Sequence, residues 1–222
     1  WRWRDMRNKV NAGEQQMSSA VVIRGVLTFA AGQPDSARPR AESNTVANPK
    51  WSAPATSCLK INFHGAFCPT SKEGAWGFLI RDDTGACLLA GSGNEGPVYD
   101  ALMAEAIACL KSLEVAEQHG ISQLIIETDS TQMMDAIRTN SRDLSPSGML
   151  FKAIRDLFLD TFTNSNLVYA PRSCNSAAHA AAQFARSRDP GHLHVWTDSF
   201  PNCVNVAVAR DSAELVILNA RP

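Results

Sequence analysis

Apolar and polar positions first fall into step at residues 59–67, "LKINFHGAF". Leu59, Ile61 and Phe63 share one side of an extended chain, and Lys60, Asn62 and His64 share the other. That period of two predicts a strand, broken at Gly65. "AWGFLIRDDTGACLLAGSG" predicts two more strands around a hairpin, because "DDTG" supplies turn residues ending in glycine. In "DALMAEAIACLKSLEVAEQHG", Leu102, Met103, Ile107, Leu110 and Leu113 recur at helical spacing, and Gly120 ends the run. "QLIIETDS" is short and nearly all apolar, which suits a strand in the middle of a covered sheet. "TQMMDAIRT" and "GMLFKAIRDLFLDTF" read as helices, "NLVYAPRS" as a strand, and "NSAAHAAAQFARSR" as a closing helix capped by Asn175 or Ser176.

The order β-β-β-α-β-α-α-β-α predicts an α/β fold. It implies a mixed five-stranded sheet, three strands antiparallel and then parallel ones, with helices on its faces. Composition divides the chain further. Residues 1–32 read as a helical segment, 33–57 as a Pro-, Ser-, Ala- and Asn-rich linker, 58–188 as the patterned domain, and 189–222 as a tail that packs on it. In those flanks Trp51, Trp196 and Phe200 are the aromatic residues suited to pack the ends of the chain onto the domain, or, if exposed, to form a partner surface.

Of the 222 residues, 45% are hydrophobic and 19% charged, which marks a globular chain rather than a disordered one. The net charge of −1 excludes a global basic field, so nucleic-acid binding would need a local patch and would be modest in strength. The cysteines, Cys58, Cys68, Cys87, Cys109, Cys174 and Cys203, form no C-x-x-C pair, which argues against zinc knuckles and redox motifs and for reduced thiols. The apolar run Ala20–Gly32 is interrupted by Arg24 and lacks the frame of a signal peptide. The expected location is therefore intracellular, nucleus or cytoplasm, without a membrane segment. The sequence opens at Trp1, as if a native start were missing or trimmed.

Three polar residues stand where α/β sheets place their sites. His64 ends the first strand, Asp129 ends the short apolar strand, and Glu105 lies in the second turn of the long helix. Glu105, between Ala104 and Ala106, either turns to solvent or points into a site.

"LKINFHGAF" with "AWGFLIRDDTG", "AEAIACLKSLEVAEQHG", "IIETDS" and "RSCNSAAHAAAQFA" resembles the ribonuclease H-like domain. More closely, the set resembles the plant reverse-transcriptase-like version found at the C-termini of retrotransposon-derived proteins and as free-standing genes. The likeness spans about residues 51–210, and "WRWRDMRNKVNAGEQ" is similar to the segment that precedes such domains. It implies cleavage of the RNA strand of an RNA–DNA hybrid by two magnesium ions. Such ions sit roughly 3.5–4 Å apart and clamp the attacking and leaving oxygens. Magnesium prefers anionic oxygen ligands, hence the family's carboxylate cluster.

Residue by residue, the resemblance assigns the helix glutamate to Glu105 and the fourth-strand aspartate to Asp129. The first-strand aspartate, the ligand that bridges both metals, is His64 here, and the final-helix carboxylate falls near His179. A histidine at the latter position is common in the plant-type branch. A neutral imidazole at His64 offers one nitrogen, adds no negative charge, and suits zinc or copper better than magnesium.

The expectation is a nucleic-acid-binding domain, for RNA–DNA hybrid or RNA, with a degenerate two-metal site that cuts weakly or not at all. The alternatives are an active hybrid ribonuclease and a protein-interaction module on a decayed nuclease fold. A further reading lets His64, His179, Glu105 and Asp129 bind a transition metal. Arg172, Ser173 and Asn175 are candidate nucleic-acid contacts, or else a helix cap beside a solvent-facing arginine. Arg186 and Arg188 end the last helix, where cations suit its dipole.

Overall fold

The computed structural model describes residues 49–219, with side chains through residue 213. The helical segment expected over 1–32, and the linker up to residue 48, lie outside the described residues.

The expected meander is β1 (Lys60–Phe67), β2 (Glu73–Arg81) and β3 (Cys87–Pro97), each antiparallel to the next. The β2–β3 turn closes as "DDTG" predicts: Asp82 Oδ1 accepts from the N–H groups of Thr84 and Ala86. β4 (Ile125–Thr128) joins β1 in parallel, and β5 (Asn166–Tyr169) joins β4 in parallel. The helices are α1 (Ala101–Gln118), α2 (Thr131–Arg138), α3 (Gly148–Asp160), α4 (Ser176–Arg186) and α5 (Asn202–Asn219).

The sheet differs from the expected five strands by one. Leu193–Trp196, read from the sequence as tail, forms β6 and pairs antiparallel with β3, giving the order β5-β4-β1-β2-β3-β6. Four residues carry too little pattern to announce a strand. What orders them is the free edge of β3, which is eleven residues long and offers unpaired backbone groups.

The period of two in β1 sorts its side chains between two layers. Ile61 and Phe63 enter the main core with Trp76, Phe78 and Ile80 of β2 and with Ala104, Ile107, Ala108 and Leu113 of α1. The opposite face lies under α4, whose Ala177, Ala178, Ala181, Ala182 and Ala185 are all buried. Alanines let this helix lie close to the sheet. At Gly77 a Cβ would overlap the backbone of Ala182. Helices thus cover both faces, so β1 is buried along nearly its whole length, polar residues included. Val204 of α5 extends the second layer beside Leu79 and Ala90, with Trp196 and Phe200 packed against it.

All six cysteines are free thiols. No helix among the described residues is long and apolar enough to cross a membrane.

Candidate metal centre

The β1–β4 register builds the centre. Lys60 pairs with Ile125, Ile61 with Ile126 and Asn62 with Glu127, after which β4 stops at Thr128 while β1 runs on. Two residues past the last pair stand His64 and Asp129. The pleat of β1 returns His64 to the face of Asn62, and Asp129 follows directly on the end of β4. Glu105 arrives from α1, which lies against β1 at Gly65, where a Cβ would overlap the carbonyl of Ala104 and the nitrogen of Glu105.

His64, Glu105 and Asp129 can each present a ligand atom within 4.8 Å of the others. Among the described residues no other group of three His, Cys, Asp or Glu side chains is so placed. His64 and Glu105 are each only 8% exposed, so the glutamate that the sequence left between solvent and site faces the site. His64 Nδ1 is 3.0 Å from Glu105 Oε1, but off the line a hydrogen bond needs. Four buried polar atoms around the centre have no hydrogen-bond partner: His64 Nδ1, Glu105 Oε2, Asn175 Oδ1 and His179 Nδ1. Native interiors rarely leave such groups unpaired without a functional reason.

Burial pushes the Glu105 carboxyl above the usual carboxylate range. The imidazole of His64 opposes that shift and the charge of Asp129 adds to it. His179 lies on α4, its ring 4.7 Å from that of His64. Burial pushes its imidazole down, assisted by His64 and Arg172, so it stays neutral to lower pH than usual.

The three residues expected to touch nucleic acid have different surroundings. Arg172 and Ser173 are exposed on a short 3-10 turn ahead of α4. Ser173 Oγ donates to the carbonyl of Pro49. Asn175 is buried: its amide donates to Phe63 O at 2.8 Å and to Asp129 Oδ1 at 3.3 Å. It stands at the N-terminus of α4 but makes no side-chain cap. Arg186 is exposed at the far end of α4, and the Arg188 guanidinium lies over the Phe184 ring, 4.5 Å from its centre.

Sequence reasoning missed a buried polar network directly behind the centre. Asn62 Oδ1 accepts from Trp51 Nε1 and from Arg81 Nη2, each at 2.9 Å, while Asn62 Nδ2 donates to Glu127 Oε2 at 2.8 Å. Lys60 Nζ contacts Glu127 Oε1 at 2.6 Å and donates to Ser52 O. Arg81 pairs with Asp211 of α5 at 2.6 Å, and its guanidinium stacks 3.5 Å from the centre of the Trp51 ring. The network ties the segment before β1 and the last helix to the strands that carry His64 and Asp129. The signal was the all-alanine face of "AAHAAAQFA", which covers that side of the sheet and turns its polar residues inward.

A family model described as reverse transcriptase-like matches residues 62–185. None of the curated proteins matches the chain in sequence. Among solved structures, the ribonuclease H1 of the halophilic archaeon Halobacterium salinarum NRC-1 superimposes with a TM-score of 0.52 and 24% identity, over 59% of this chain and 98% of that one. The N-terminal ribonuclease H domain of a Mycobacterium tuberculosis protein gives 0.51 and 18%, over 57% and 91%. LC11-RNase H1, solved in complex with an RNA/DNA hybrid, gives 0.51 and 19%, over 57% and 95%. At these identities the likeness is one of fold.

Proposed function

The chain belongs to the reverse transcriptase-like family, and from that premise we propose that it is a ribonuclease H-like domain that binds RNA–DNA hybrid and cuts it weakly or not at all. The observation that carries this reading is the position of His64. It stands within ligand reach of Glu105 and Asp129, inside β1 and two residues past the last parallel pair with β4, in a fold shared with ribonucleases H.

Magnesium, the ion that the resemblance implies, fits these residues poorly. Two magnesium ions carry four positive charges between them and prefer anionic oxygen. The centre holds two carboxylates, which offset at most half of that charge. Both positions where further carboxylates would sit carry imidazoles, His64 and His179, which supply no negative charge. We therefore derive no hydrolytic step through a magnesium pair.

What these residues can do is bind. Arg172, exposed beside the centre, supplies a cation at the surface a backbone phosphate would reach. Ser173 is exposed on the same turn. Asn175 acts differently, because it holds Asp129 against Phe63 and so positions the centre from behind. A solved neighbour of the same fold holds an RNA/DNA hybrid, which supports hybrid as the nucleic acid to test first.

The test is a salt titration of binding to a labelled hybrid, beside a cleavage assay with magnesium and with manganese. Binding at low salt that falls steeply as salt rises, without substantial cleavage, is the expected result. Metal-dependent cleavage abolished by Glu105→Ala or Asp129→Ala would make the domain an active ribonuclease. No binding even at low salt would favour a protein-partner role.

A further inference from the structure

We propose that His64, Glu105 and Asp129 form a site for one borderline transition-metal ion, with zinc as the probe, in place of a magnesium pair. The inference deepens the reading of the centre given above and rests on that placement, not on hybrid binding.

The geometry suits a single ion. Ligands bound at ~2.0–2.2 Å from one zinc lie at most about 4 Å apart. The three ligand atoms here already lie within 4.8 Å of one another, so rotations at the side-chain tips close the difference. His64 and Glu105 are each 8% exposed, and each carries a buried polar atom without a hydrogen-bond partner. Oε2 of Glu105 has no hydrogen bond to give up to a metal, and Nδ1 of His64 would exchange only its 3.0 Å contact with Glu105 Oε1.

The donor set selects the ion. One imidazole nitrogen and two carboxylate oxygens suit zinc and its neighbours and are poor for magnesium. Three protein ligands with an open fourth position is the pattern of reactive rather than structural zinc sites. His179, its ring 4.7 Å from that of His64 and its own Nδ1 without a hydrogen bond, stands beside the cluster. Charge limits the number of ions: one divalent cation favours the ionised form of both carboxylates and is balanced by them, and a second ion would face uncompensated repulsion. The outer shell is in place, since Asn175 donates to Asp129 Oδ1 and is itself anchored on Phe63 O.

Calorimetric titration of the chelator-treated full chain, without nucleic acid, decides the matter. The expected result is one zinc per chain, with magnesium at least about 100-fold weaker. His64→Asp should weaken zinc by about tenfold or more and strengthen magnesium, with Glu105→Gln weakening zinc as well. Cobalt supplies a second readout, since low-coordinate cobalt gives intense visible bands that His64→Asp should lose. Circular dichroism confirms that each variant is folded. The exposed pair His192 and His194, whose ring nitrogens are 3.0 Å apart, is the competing place for a metal on the surface. Zinc bound to the His64→Asp chain as to the parent, and lost from His194→Ala, would overturn the proposal, as would no zinc bound at all. Failure of zinc with hybrid binding intact sinks this inference alone. Failure of hybrid binding with zinc intact sinks the earlier reading alone.

Discussion

The side-chain amide of Asn62 donates to Glu127 Oε2 at 2.8 Å across the parallel β1–β4 pair, and each residue stands two places before a member of the metal cluster. The spacing of His64 and Asp129 is thereby held from inside the protein as well as by the backbone ladder.

Asn62→Leu tests this relationship. It removes the acceptor of Trp51 Nε1 and Arg81 Nη2 and the donor to Glu127. Each buried group left unpaired costs about 1–3 kcal/mol. Urea denaturation should therefore show a loss of at least ~2 kcal/mol, large against the ~5–15 kcal/mol stability of a typical domain. A change below ~0.5 kcal/mol, the size of an ordinary surface substitution, would show that the network contributes little.

Gly65→Ala should damage both fold and centre. Its Cβ would overlap backbone atoms of Ala104 and Glu105, so α1 must move off the strand and carry Glu105 with it. Overpacking of this kind costs about 1–3 kcal/mol, read as a lowered melting temperature. Gly120→Ala makes the contrast. Nothing lies within reach of a Cβ there, and the penalty comes only from a φ of +73°.

Cys68 should be the most reactive thiol at neutral pH among the described residues. The polar groups of the Ser71 side chain and of the Ser71 and Thr70 backbone hold its thiol down at about 7. Burial pushes Cys87 up to about 12 and Cys109 higher still. The thiolate is the nucleophile, so alkylation of Cys68 should rise as pH passes through about 7 while Cys87 and Cys109 stay inert. Ser71→Ala should move that midpoint upward. Mass-spectrometric mapping of iodoacetamide adducts against pH reads both outcomes.

Arg172→Ala should weaken hybrid binding and make its salt dependence shallower by about one unit of slope, the signature of one lost phosphate contact. Asn175→Leu should act differently, because Asn175 is buried and holds Phe63 O and Asp129. It should lower the melting temperature and leave the salt slope of any remaining binding unchanged. Fluorescence anisotropy over a range of salt separates the two.

Much of this architecture was legible along the chain because its signals are local. The alternation through Ile61 and Phe63, the "DDTG" turn and the helical spacing from Leu102 to Leu113 each depend on near neighbours, and the observed elements follow them, except that β1 runs on past the break expected at Gly65 to Phe67 because β2 pairs with it there. The resemblance also marked His64, Glu105, Asp129 and His179, which the fold brings to one place.

Tertiary structure decided what depends on distant partners. "LHVW" became a strand because β3 offered it an edge. Lys60, Asn62, Arg81 and Glu127 look from the sequence like the wet side of strands, yet all four are buried, since α4, the Trp51 segment and Asp211 of α5 cover them. Asn175 is polar and precedes a helix, which suggested a cap or a phosphate contact, and only the packing of α4 on β1 turned it toward Asp129. A residue's polarity is a property of the residue. Whether it meets water, a metal or another buried charge is a property of what folds over it, and here that cover comes from both ends of the described chain.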